Sequence, residues 1–193
     1  PDWAFPEVGG YDCVEVWNGP WELLNRFCLS FWETRLKRGE RLTAVGGSDH
    51  HFTHEAHLHQ IGNPTIAVYL PPDQPPTARR LLDAIRLGHC FITERPSGPR
   101  LTLSSGGRMM GDALPYPAHD QITLDIGVTY GAGSMLQIIG AHGEIAKVEI
   151  EQDSVQLTLE VTLGNSGYVR IQLTDPVGGN LRALTNPLYF DTD

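Results

Sequence analysis

From Val155 to Leu163 every second residue is apolar: Val155, Leu157, Leu159, Val161 and Leu163 alternate with Gln156, Thr158, Glu160 and Thr162. A period of two belongs to a strand with one face buried and the other in water, and no helix satisfies it. Similar runs fill the C-terminal half: RLTLSS (100–105), QITLDIGVTY (121–130), MLQIIGA (135–141), IAKVEIE (145–151), YVRIQLTD (168–175) and PLYFD (187–191). His142 and Gly143 fall at a hairpin turn between two of them. Short antiparallel strands spaced by turns predict a β-sandwich over residues 98–193.

The first half has a different rhythm. YDCVEVWN (11–18) reads as a strand, with Val14 and Val16 on one face and Cys13, Glu15 and Trp17 on the other. A helix is expected from Pro20 to about Arg38, its buried stripe formed by Trp21, Leu24, Cys28, Phe31 and Trp32. Gly39 is placed to stop it. RLTAVGG (41–47) and PTIAVYL (64–70) read as strands, ARRLLDAIRLG (78–88) as a helix capped by Thr77 and ended by Gly88, and CFIT (90–93) as a short strand. Strand alternating with helix implies parallel βαβ units. ERPSGP (94–99) punctuates the chain, so residues 1–97 form an α/β portion and 98–193 the sandwich.

The net charge of −9 and the absence of a basic run exclude a nucleic-acid surface. No apolar stretch is long enough to span a bilayer, and no charged-then-apolar leader opens the chain. Cys13, Cys28 and Cys90 lie in apolar stretches at no disulfide-like spacing. They read as small buried hydrophobes, which fits a reducing compartment and places the protein in the cytoplasm.

Five of the eight histidines crowd between positions 50 and 59, just past the strand that ends in Gly46-Gly47. Asp49 and His51 are two residues apart, so in extended backbone both side chains leave on one side. A carboxylate and an imidazole projecting together suit a divalent cation of the zinc or manganese kind. The plainer reading is an Asx-turn beside an exposed histidine. Strand alternation points His50 away, as a supporting or surface residue. His54, His57 and His59 are loop residues, with His54 a possible additional ligand. Glu15, between two valines, is a candidate buried carboxylate in need of a partner. The tryptophans read as packing residues.

Taken in order, DCVEVWNG, a helix, LTAVGGSDHH, IGNPTIAVYL and LLDAIRLGHCFIT resemble the closing part of a PHP (polymerase and histidinol phosphatase) domain of the CehA/McbA-like kind, which often carries a C-terminal β-sandwich. The resemblance covers residues 11 to about 97 and, in general form, the sandwich. It implies the last strands and helices of a distorted βα barrel, and a zinc, manganese or iron centre in the intact parent to which Asp49 and His51 contribute. Glu15 lies where the family often has a glutamate near that centre. The implied reaction is hydrolysis of a small-molecule phosphoester or other ester. The family's opening His-x-His motif is absent: no histidine precedes His50. With Pro1 rather than methionine at the start, the chain reads as a C-terminal fragment, inactive alone, that self-associates or packs against a missing N-terminal segment. Two other classes stay open: a sandwich that recognises a glycan or a partner protein, which an exposed aromatic row would favour although Tyr116, Tyr130, Tyr168 and Tyr189 are scattered, and a histidine-rich metal buffer over residues 50–59.

Overall fold

The computed structural model describes residues 8–51 and 60–191. In chain order the elements are β1 (Cys13–Asn18), α1 (Leu23–Lys37), β2 (Thr43–Gly47), β3 (Thr65–Val68), α2 (Ala78–Arg86), β4 (Cys90–Thr93), β5 (Arg100–Ser105), β6 (Arg108–Met109), β7 (Ala113–Pro115), β8 (Gln121–Thr129), β9 (Ser134–Gly140), β10 (Gly143–Ile150), β11 (Ser154–Thr162), β12 (Tyr168–Thr174), β13 (Leu181–Thr185) and β14 (Leu188–Asp191).

The expected partial βα barrel followed by a β-sandwich is not what forms. Strands make up 45% of the structure and two helices only 14%. β3 and β4, expected as parallel strands of a βαβ unit, pair antiparallel, from Thr65 opposite Thr93 to Val68 opposite Cys90. They belong to the same eight-stranded sheet as the C-terminal strands, ordered β10-β9-β12-β13-β4-β3, with β14 paired to β12 and β7 paired to β14. The reason is local. The Tyr69 N–H donates to His89 O at 2.9 Å, one step beyond the β3–β4 ladder. The helix between them is therefore an excursion at the end of a hairpin, not a crossover. Alternation of strand and helix in a sequence does not separate the two cases. β4 is paired on both sides, lying between β13 and β3.

A four-stranded sheet, β11-β8-β5-β6, supplies the other side of the main core. Leu101, Leu103, Leu124, Ile126 and Val128 meet Leu136, Ile138, Val169, Ile171 and Leu173 there. β11 shows the alternation read from the sequence, its apolar residues turned inward and its polar ones exposed. It is the edge of that sheet, so its inward side chains are mostly only half-buried.

The opposite face of the eight-stranded sheet carries a second core. Val16, Trp17, Trp32, Leu36, Leu42 and Ala44 pack there on Ile92, Tyr168, Leu184 and Tyr189. This layer holds the β1–β2 sheet, whose two strands are parallel, and α1. α1 starts at Leu23, later than expected, and ends at Arg38 with Gly39 at φ +83°. Its buried residues are Asn25, Trp32 and Leu36; Leu24 and Cys28 of the expected stripe are exposed. Trp32 fixes the choice of face, because its Nε1–H donates to Leu42 O at 2.8 Å. Of the cysteines only Cys90 is fully buried. Asn186 stitches the layers together: its Oδ1 accepts from the Ala44 N–H at 2.7 Å and its Nδ2 donates to Cys90 O at 3.0 Å. Among the described residues no helix is long and apolar enough to cross a membrane.

Candidate functional site

β1 and β2 run side by side from Cys13 opposite Thr43 to Asn18 opposite Gly47, and Gly19 N–H donates to Gly47 O at 2.9 Å beyond the last pair. Gly46 permits the approach: a Cβ there would stand 2.8 Å from Trp17 O. The turn into α1 is held by Asn25, whose Oδ1 accepts from Asn18 N–H at 2.8 Å and whose Nδ2 donates to Pro20 O at 2.8 Å. The carboxyl ends of both strands thus open on one end of the molecule.

Asp49 and His51 lie just beyond that end, and the structure brings them together. His51 Nε2 is 2.6 Å from Asp49 Oδ1. They do not meet by the extended geometry expected. β2 stops at Gly47, and Asp49 takes a left-handed conformation at φ +48°, which Asp tolerates better than most residues. The two side chains are 70% (His51) and 46% (Asp49) exposed. His50, between them, is half-buried.

Glu15 is exposed rather than buried. A β-bulge between Glu15 and Trp17 breaks the simple alternation, so Val16 and Trp17 are buried in succession. Glu15 Oε2 accepts from Asn18 Nδ2 at 3.1 Å, and Oε1 would be 3.4 Å from a Cβ on Gly47. The carboxylate therefore stands at the rim, against the end of β2. His54, Glu55, His57 and His59 lie outside the described residues.

The donor types of Asp49 and His51 suit zinc, manganese or iron. Their number does not close a site: among the described residues no three His, Cys, Asp or Glu side chains are grouped to hold a metal. The two donors are also closer than the roughly 3 Å between neighbouring ligands on one ion. Here the pair is hydrogen-bonded to itself.

A cleft of about 310 Å³ is lined by Trp17, Gly19, Pro20, Trp21, Asn63, Glu94, Arg95, Asn180 and Leu181. It forms where β1 and β4 end and where β3 and β13 begin. Trp17 and Trp21 stand edge to face, with centroids 5.1 Å apart. Glu94 Oε1 is 3.3 Å from Arg95 Nη2 and 3.5 Å from Arg182 Nη2. Glu94, Arg95 and Asn180 lie in turn-like stretches that carry no recognisable motif. The one available signal was a charged pair directly after the CFIT strand.

The exposed tyrosine row that would suit a glycan- or protein-binding face does not form from the four candidates. Tyr168 and Tyr189 are buried in the second core, and Tyr116 is half-buried with its hydroxyl on Asp120. No protein-family model matches the chain, and no curated protein matches it either.

Proposed function

We propose that this chain is the C-terminal part of a metal-dependent hydrolase of the PHP superfamily, acting on a small-molecule phosphoester or other ester. The observation that carries this reading is the meeting of Asp49 Oδ1 and His51 Nε2 at 2.6 Å beyond the carboxyl ends of a parallel strand pair. In open sheets with parallel strands, that end is where ligands gather. Asp49 and His51 supply two ligands, and the rest come from outside the described residues. A divalent cation held there polarises the scissile group and lowers the pKa of water. Glu15, at the rim of the same strand ends, is placed to orient one of the two ligands or to accept a proton from an incoming water.

Two donors do not fix a catalytic ion, so the isolated chain turns over no ester. The check is a phosphodiester and aryl-ester assay with added manganese or zinc, on the chain and on the intact parent. Expected are activity in the parent that falls by about a hundredfold or more in Asp49→Ala, and none in the chain. Turnover by the chain alone that Asp49→Ala abolishes would contradict the inactivity. A parent untouched by Asp49→Ala would contradict the assignment.

A further inference from the structure

We propose that the cleft beside the strand ends binds a small organic anion built on a ring, and that Arg95 selects for its anionic group. The site does not depend on the cation chemistry of Asp49 and His51.

Charge comes first. The chain as a whole is acidic, yet at this cleft one carboxylate, Glu94, is shared by two guanidinium groups, those of Arg95 and Arg182. Arg182 is the more buried and is also committed to Ser134, to whose Oγ its Nη1 donates at 2.6 Å. Arg95 lines the cleft with its side chain 54% exposed, and so retains donors for an incoming anion. A guanidinium presents a planar fork that matches a carboxylate or phosphate. α1 adds to the field. It begins two residues past Trp21 with Glu22 at its N-cap; the Glu22 side chain makes no capping hydrogen bond, and the first turn holds no acidic residue. An uncapped helix start favours negative charge nearby.

The ring follows from the wall. Trp17 and Trp21, packed edge to face, give the cleft an aromatic side. Trp17 Nε1–H is satisfied by Gly19 O at 3.0 Å, whereas the buried Trp21 Nε1–H has no acceptor among the described residues. A buried indole N–H normally finds a partner, and a ligand oxygen is one that a small shift of the ring would reach. A volume of about 310 Å³ sits at the lower end of small-molecule sites. It is about the size of a single substituted ring.

The test is titration of the full chain, without added metal, by phenyl phosphate, benzoate, inorganic phosphate and benzyl alcohol, following the indole N–H resonances by NMR. Saturable shifts of the Trp21 resonance by phenyl phosphate or benzoate are expected; which of the two binds more tightly identifies the anion as phosphate or carboxylate. Arg95→Ala should weaken binding by about tenfold and Arg95→Lys by less. Trp21→Leu should bring phenyl phosphate down to the level of inorganic phosphate. Asp49→Ala should change nothing. No saturation below about 10 mM would overturn the proposal, as would equal binding of benzyl alcohol or an Arg95→Ala protein that binds as well as the wild type. Loss of binding in Asp49→Ala would move the anion to the Asp49–His51 pair and also refute it, while leaving the hydrolase reading in place.

Discussion

Alanine at Gly111 is expected to destabilise the protein by about 4 kcal/mol, among the largest effects a single methyl group can have. Gly111 lies in the turn between β6 and β7 at φ +96°, where an L side chain is strained. A Cβ there would stand 2.1 Å from Leu87 O and 2.7 Å from Gly88 C. Both obstacles are backbone at the end of α2, so no rotamer change relieves them. The turn itself is pinned, because Gly111 N–H donates to Pro187 O at 2.6 Å. For a chain of this size the loss lowers the melting temperature by about 10 °C. Urea unfolding of the variant measures it directly, and a change under about 1 kcal/mol would mean the turn moves freely.

The same corner is sensitive to acid. Asp112 accepts from Met109 N–H at 3.0 Å and lies 2.9 Å from His89 Nε2. Burial works against its charge, but the Met109 N–H and His89 outweigh burial and hold its carboxyl below the ordinary range. A folded-state value below the unfolded one means that the carboxylate stabilises the fold above about pH 3.9. That contribution is lost as pH falls through the lowered value.

The second large effect is expected at Glu33. It lies on α1 and pairs with Arg170 of β12, whose side chain is 1% exposed. The guanidinium also donates to Gln172 Oε1 at 2.8 Å and lies 5.8 Å from the centre of the Trp32 ring. Among the described residues Arg170 Nε has no acceptor. Removing Glu33 leaves a desolvated cation under a helix, at a cost of about 3 kcal/mol. The pair as a whole contributes much less than that, since desolvation of two charges offsets most of their attraction. Glu33→Leu combined with Arg170→Met is therefore expected to lie within about 1 kcal/mol of the wild type, while Glu33→Ala alone does not. If the double variant is as unstable as the single one, packing of α1 rather than the stranded charge is the cause.

What was legible in the sequence is what nearest neighbours decide. The alternation from Val155 to Leu163 gave β11 its inward face, and Ala141-His142 joins β9 to β10 as a two-residue hairpin loop. Thr77 caps α2, accepting from Arg80 N–H at 3.3 Å, and Gly88 follows that helix at φ +77°. What was not legible depends on distant partners. β3 and β4 look like parallel strands until β13 places β4 in an antiparallel sheet. α1 carries two apolar stripes, and only the Leu42 carbonyl waiting for Trp32 says which is buried. At the site, sequence spacing put Asp49 and His51 on one side of extended backbone, whereas the chain turns left-handed at Asp49 and the two side chains contact each other through that turn. The bulge after Glu15, which leaves that carboxylate exposed, has no signature in DCVEVWN.

The most direct test of the account is a zinc titration of the chain followed on the imidazole resonances. A weak, saturable shift of His51 is expected in the wild-type protein, weakened by about tenfold or more in Asp49→Ala, because the two side chains grip the ion together. A His51 resonance that stays fixed while zinc binds elsewhere, or that shifts equally with and without Asp49, would contradict it.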